Sequence, residues 1–462
     1  MTATKQPINL IHRAILADGA SCCDPGRLKG LFGSGPRAEN GSKGGGSDLR
    51  INPFVSLFAA SLIALLPTHA MAQTATGAVT QENQSVQSRE RPDYDPLGVR
   101  MGAFDLNATL DLGIASTDNL FAAADNAPTH VDDMIYTVNP SARLSSNWSR
   151  HALALDGGAT WTSHEDFDSE DTDEWFARTI GRLDIGTSTA LRGTARTGHW
   201  VTPRTDPDSF DDGVPVEYDR TDYSLGVTHR FNRAEVALTA IQDEYEYDSA
   251  SQQFRDNELT ALRGRVSYEL SPRLAVVVAA SSDERDYNNT PALNSEGQSV
   301  MAGVTINTDL MRGEVTVGQF ERDYNDPAIA TLDGLALSGN LEWYVTQLTT
   351  LTFTARRDAD DQVGIASGAP FVNQELGARI DHELRRNIIL TAAARISERD
   401  YDSDLVDRTD DIQTYEVGAN YLLNRRVALN GRFKYDEVES NGVDEGRDYD
   451  VSTVSVGLSL RL

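Results

Sequence analysis

The amino-acid sequence predicts an all-β fold: a closed up-and-down antiparallel transmembrane β-barrel of about eighteen strands, with about sixteen as the alternative count. Three observations predict it. Apolar and polar residues alternate in one segment after another. Short connections between these segments alternate with long, acidic ones. A segment with the features of an export signal stands ahead of them all. A period of two sends successive side chains to opposite faces of a pleated strand, and a strand crossing a bilayer needs only one apolar face.

Composition narrows the choice. The chain has 462 residues, 39% of them hydrophobic, and a mean hydropathy of −0.40. One short N-terminal segment apart, no apolar run approaches the ~18 residues of a transmembrane helix. Forty-one Lys and Arg against 70 Asp and Glu give a formal charge of −29. Residues 1–50 hold seven basic and four acidic residues, so the remainder carries −32. Such acidity speaks against nucleic acid as a partner, because that partnership rests on neutralising phosphate. Fifteen Tyr, 14 Phe and regular alternation speak against an acidic disordered chain.

Residues 1–42 are Gly-rich and show no strand pattern. They are expected to be an unstructured extension or to reflect an upstream start codon. Residues 43–72 read as a secretory signal peptide. Lys43 and Arg50 precede an apolar run over 54–66, and Pro67 and Ala70-Met71-Ala72 follow it. Cleavage is expected after Ala72, with Ala70 and Ala72 at the small-residue positions and Gln73 as the first mature residue. Cys22 and Cys23 fall before this site, so the exported chain is expected to form no disulfide or Cys-ligated metal site. Residues 73–100, with Gln81, Gln84 and Gln87, read as a flexible periplasmic lead-in. The barrel is expected over 101–462.

Its first strand is the clearest. Phe104, Leu106, Ala108, Leu110, Leu112 and Ile114 share one face, and Asp105, Asn107, Thr109, Asp111 and Gly113 the other. Hairpins follow with the same alternation. They turn at Ser149-Arg150, Gly186–Thr189, Asn232-Arg233, Ser271-Pro272-Arg273, Asp309–Arg312, Arg385-Arg386 and Asn424-Arg425-Arg426. The last strand carries Val454, Val456, Leu458, Leu460 and Leu462. Short turns are expected on the periplasmic side and long loops outside. An open sheet of this size would leave edges, and closure removes them, so strand 104–114 should pair antiparallel with 451–462. The chain ends in Leu462, where a β-assembly signal ordinarily carries an aromatic residue.

One tetrapeptide repeats. Glu-Arg-Asp-Tyr occurs at 284–287, 321–324 and 398–401, spacings of 37 and 77 residues, or one and two hairpins. Each copy lies where a strand enters a long loop. Tyr287, Tyr324 and Tyr401 are therefore expected in an interfacial aromatic girdle at the rim.

The polar face is expected to line the lumen. Its candidates are Arg143, Arg178, Arg192, Arg196, Arg263, Arg265, Arg356, Arg379, Arg395, Arg432, Glu342, Glu375 and Glu416. Opposite charges there can brace the wall or bind a hydrated solute weakly and repeatedly, which favours passage over trapping. The acidic stretches 164–174 and 204–212 are expected as solvated extracellular loops; they lack the Gly and terminal Glu placement of a Ca²⁺ loop. No cofactor or metal is expected. His130, His151, His164, His199, His229 and His382 form no nucleophile–base motif, so catalysis is not expected.

Residues 91–121 also resemble the opening of a known family. Arg91, Tyr94 and Pro96 lead into Gly-Val-Arg-Met-Gly-Ala-Phe at 98–104, then an alternating strand closed by Thr117-Asp118-Asn119. This pattern is similar to the start of the Putative beta-barrel porin 2 family of bacterial outer-membrane proteins. The resemblance implies an integral outer-membrane barrel that exports exopolysaccharide or capsular polymer. Its implied partners are outer-membrane lipid and lipopolysaccharide, the barrel-assembly machinery, the polymer and periplasmic export components. A general diffusion or uptake porin and a non-conducting structural or adhesive barrel are the alternatives.

Overall fold

The computed structural model describes residues 84–207, 209, 213–360, 370–401 and 406–462. The extension, the signal peptide with Ala70 and Ala72, and Gln73 lie outside them. The strands are β1 Val99–Met101, β2 Phe104–Thr117, β3 Asp133–Ser146, β4 Ala152–His164, β5 Thr172–Ile185, β6 Thr189–Thr202, β7 Val216–Phe231, β8 Ala234–Tyr247, β9 Asn257–Ser271 and β10 Leu274–Tyr287. They continue as β11 Ser295–Asn307, β12 Met311–Tyr324, β13 Leu332–Thr346, β14 Thr349–Asp360, β15 Phe371–Arg385, β16 Ile388–Asp400, β17 Arg408–Leu422, β18 Val427–Gly442 and β19 Tyr449–Arg461.

From β2 to β19 every strand pairs antiparallel with its sequence neighbours, and β19 pairs with β2. Thr453 lies opposite Thr117 and Arg461 opposite Thr109, so the ring of eighteen strands closes at the expected seam. Closure matters because hydrocarbon offers no partner to a free N–H or C=O.

The short strand β1 was not expected. It occupies the edge of β2 beyond the end of β19, with Val99 opposite Leu106 and Met101 opposite Phe104. The Gly98 N–H donates to the Leu462 carbonyl at 3.3 Å, which ties the entry of the barrel to its last residue. Gly98 has φ +65°, and a Cβ there would stand 2.8 Å from the Leu106 carbonyl oxygen. Both facts call for glycine.

The faces sort as the alternation requires. Ile114, Leu155, Leu183, Leu225, Leu238, Val278, Val300, Val317 and Val456 are exposed on the outside, as a lipid-facing surface needs. Near the long-loop end this band meets Tyr136, Trp161 and Trp175, and near the short-turn end Phe231, Tyr268, Trp343 and Tyr421, all exposed. Such rings favour the interface between hydrocarbon and headgroups.

Candidate functional site

The opposite parity of each strand faces the lumen. One register row crosses six strands as Arg143, Asp156, Arg178, Arg196, Asp222 and Asp243. Its members pair across strands. Asp156 lies 2.9 Å from Arg143 Nη1 and 2.7 Å from Arg178 Nη2. Arg196 Nε is 2.6 Å from Asp222, and Arg220 Nη2 is 2.9 Å from Asp243.

The remaining candidates fall on the same inner face. Arg265 pairs with Glu314 at 2.6 Å, Arg356 with Asp358 at 2.6 Å and Arg379 with Asp381 at 2.9 Å. Arg395 reaches Glu375 at 3.4 Å and Arg432 reaches Glu416 at 3.3 Å. Glu342 accepts the Tyr344 hydroxyl at 2.8 Å, and Arg192 donates to Thr228 at 3.3 Å. Among the described residues Arg263 pairs with no carboxylate. The wall is thus largely zwitterionic: most guanidinium groups are answered by a carboxylate on the same or a neighbouring strand.

Two segments enter this lumen. The first is the connection 203–215 between β6 and β7, expected to be a solvated acidic loop. Its described part folds inward. Arg204 donates to Glu170 at 2.9 and 2.8 Å, and Glu170 is itself buried. Asp206 accepts from Arg399 Nη1 at 3.1 Å and Nη2 at 3.2 Å. The Thr205 carbonyl accepts from the Tyr449 hydroxyl at 3.0 Å, and the Ser209 carbonyl from Arg447 Nη2 at 2.9 Å. Arg399 lies next to the end of β16, which lies nine strands from β7 whichever way the ring is counted. The described residues of the loop, Thr205 and Asp206 above all, therefore reach across the barrel to the opposite wall. Its return strand is rooted on Val216, Tyr245 and Tyr247, a buried cluster packed against Tyr218.

The second segment is 84–97, expected to be a flexible lead-in. It lies within the short-turn end of the lumen. Val86 has no exposed surface, and its N–H donates to Thr350 Oγ1 at 3.0 Å. Gln87 donates to Asp381 at 2.7 Å. Arg89 and Arg91 converge on Glu383 at 3.4 and 3.1 Å, and all three side chains are almost fully buried. Arg89 also donates to the Gln347 carbonyl. Burial pushes the Arg89 guanidinium below its ordinary value, and Glu383 opposes that shift. The Pro92 and Tyr94 carbonyls accept from Arg425 at 2.8 Å and Arg461 at 3.2 Å.

The tetrapeptide tyrosines do not form the expected interfacial girdle at the rim. Tyr287 and Tyr401 are 3% and 0% exposed, and with Tyr324 they turn inward. Parity gives the reason. In β10 the lipid-facing Val276 and Val278 are even-numbered, so Glu284 and Asp286 share their face while Arg285 and Tyr287 face the lumen. The tetrapeptide fastens loops. Tyr287 packs with Leu293 and Ile329, beside Phe254 and Tyr324. Tyr401 packs with Phe371 and Val406. Arg322 pairs with Asp283, and Arg399 holds Asp206.

His199, Asp219 and Asp248 bring potential ligand atoms within 4.8 Å of one another. His199 and Asp219 lie on the outer face near the long-loop end, away from the lumen, and Asp219 is 2.8 Å from His199 Nδ1.

A closed ring of eighteen antiparallel strands, aliphatic outside and charged within, defines an integral outer-membrane β-barrel of the porin class. The Putative beta-barrel porin 2 family model matches residues 91–462, and the chain belongs to that family. No curated protein sequence matches the chain. Solved structures similar to it include the outer membrane protein OpdK of Pseudomonas aeruginosa, with 12% identity over 78% of this chain and 99% of that one, TM-score 0.42. Pseudomonas aeruginosa OccK2 (OpdF), solved in complex with glucuronate, shows 13% identity over 78% and 98%, TM-score 0.44. A BenF-like porin from Pseudomonas fluorescens Pf-5 shows 11% identity over 78% and 100%, TM-score 0.45.

Proposed function

We propose that the protein is a narrow, non-enzymatic porin that passes small hydrophilic solutes across the outer membrane and prefers cations. The observation that carries this reading is the loop 203–215, tied across the lumen by Asp206 and Arg399. A barrel of eighteen strands is otherwise wide enough for an aqueous channel. A loop spanning it divides that channel into a passage for small molecules. The segment 84–97 narrows the other end. Both features favour uptake or diffusion of small solutes over the polymer export that the family resemblance implied.

The cation preference rests on charge. The lumenal arginines are mostly neutralised by their carboxylate partners, while the chain beyond residue 50 carries −32. A low-dielectric wall focuses such a field into the channel mouth and raises the local concentration of cations. Contact with outer-membrane lipid and lipopolysaccharide, and insertion by the barrel-assembly machinery, belong to the same proposal.

Planar-bilayer recordings of the mature protein test it. The expected result is a small, steady conductance whose reversal potential in a KCl gradient shows cation preference. Absence of conductance, combined with loss of surface polysaccharide on gene deletion, would sink the reading in favour of export.

A further inference from the structure

We propose that the inner wall around Glu383, at the short-turn exit of the lumen, is a recognition site for guanidinium and ammonium groups, which Arg89 and Arg91 occupy in cis. The inference builds on the porin reading and gives it a solute class.

The site is built. Glu383 is 2% exposed and receives Arg89 at 3.4 Å and Arg91 at 3.1 Å. Arg386, largely exposed, stands at 3.8 Å. Two residues away, Asp381 takes Gln87 at 2.7 Å, with Arg379 at 2.9 Å and Thr391 at 2.7 Å completing its shell. Thr350 Oγ1 and the Gln347 carbonyl add acceptors on the adjoining strand and turn. All belong to the wall, and the two guanidinium groups belong to a segment outside the barrel strands.

The chemistry of the occupant identifies the ligand. A buried carboxylate is costly unless paired, so this one requires a cation. A guanidinium presents several N–H donors in a plane and suits a carboxylate flanked by carbonyl and hydroxyl acceptors. The segment satisfies the seat with two such groups. It is joined to the wall by hydrogen bonds and ion pairs, and only the three-residue strand β1 follows it before the ring begins. It can therefore leave without unzipping a wall strand. A basic solute arriving from the acidic outer mouth then meets the same acceptors at the exit. Arg89 and Arg91 are thus a built-in competitor for the solute, and their departure opens the path.

The test uses the full mature chain and the Arg89→Gln/Arg91→Gln double variant. L-Arginine is the probe and L-citrulline, its neutral analogue, the control. With wild-type protein, arginine added on the periplasmic side leaves the current unchanged. The double variant should conduct roughly twice as well, because its exit is wider. Arginine should block that current, and citrulline should not. Adding Glu383→Gln to the double variant should weaken the block about ten-fold or more, the loss of one charge-assisted contact. Unchanged conductance and no arginine block in the double variant would refute the site while leaving a conducting wild type, and so the porin reading, intact. If even wild type fails to conduct and gene deletion removes surface polysaccharide, the porin reading falls alone. Calorimetric titration of arginine into the double variant then decides the site: binding lost with Glu383→Gln upholds it, and equal binding by citrulline overturns it.

Discussion

Asp410 has no exposed surface and accepts from Arg408 at 2.8 and 2.6 Å and from Ser440 Oγ at 2.6 Å. Arg408 is buried too and lies over the Tyr401 ring. Removing one partner of such a pair leaves the other charge buried without its counter-ion. Asp410→Ala should therefore cost about 3–5 kcal/mol, read from urea unfolding out of lipid vesicles. Asp171 sits outside the strands and accepts from the His164 N–H at 2.7 Å and from Ser163 Oγ at 3.1 Å. The His164 N–H, first of all, holds its carboxyl below the usual carboxylate range. Its contribution is present above the unfolded carboxylate value and is lost as pH falls through the lower folded value. The protection factor of the His164 amide, its exchange rate set against that of the unfolded chain at the same pH, should fall on acidification below about pH 4, where a free carboxylate is already half protonated. At this scale parity was legible in the sequence: every lumenal arginine sits on the polar face of its strand. The Tyr of the tetrapeptide has the residue type of an aromatic girdle but the strand parity of the lumen, and parity decides. From Val278 to Tyr287 is an odd number of steps, and that sends the ring inward.

Each strand presents two chemistries on two faces, so adjacent residues should respond oppositely to the same change. Leu225 and Ser224 are neighbours in β7, the first exposed to lipid and the second toward the lumen. Leu225→Lys should destabilise the barrel by about 2–4 kcal/mol, the cost of a lysine near the bilayer midplane. Ser224→Lys should cost far less, and unfolding midpoints of the two variants compare them directly. The loop 203–215 makes a different kind of element. Asp206→Ala releases it from Arg399 without touching the wall, and conductance should rise roughly two-fold as the passage widens. Its inward path was not legible in the sequence. An acidic, Pro-containing stretch reads as solvated, and its partners Arg399, Arg447 and Tyr449 are about two hundred residues away or more. The segment 84–97 escaped for a related reason. Its Gln-rich flanks suggest flexibility, while Val86, Arg89 and Arg91 acquire meaning only against Thr350 and Glu383.

For the molecule as a whole, strand number, seam and face chemistry were legible because hydrocarbon imposes them locally and repeatedly. What fills the cylinder was not, because it depends on contacts across it. The charge of the whole molecule has its own consequence. Outside, near the long-loop end, carboxylates stand directly opposite one another: Glu258 faces Asp286, and Glu284 faces Glu296. Like charges so placed repel, and salt screens them. Raising NaCl from about 10 mM to about 150 mM shortens the screening length from about 30 to about 8 Å, so the thermal midpoint should climb over that range. A midpoint that falls with salt would show that attractive pairs dominate the surface.

The three tetrapeptides recur at hairpin intervals, and each sets an Arg and a Tyr facing inward where a strand gives way to a loop. A hairpin copied whole would carry its own fastening with it. Growth of such a barrel by duplication adds circumference and a clasp for the new loop in one event. Width and order at the mouth are then inherited together, and a lineage can change pore size without first inventing a way to hold the added loop.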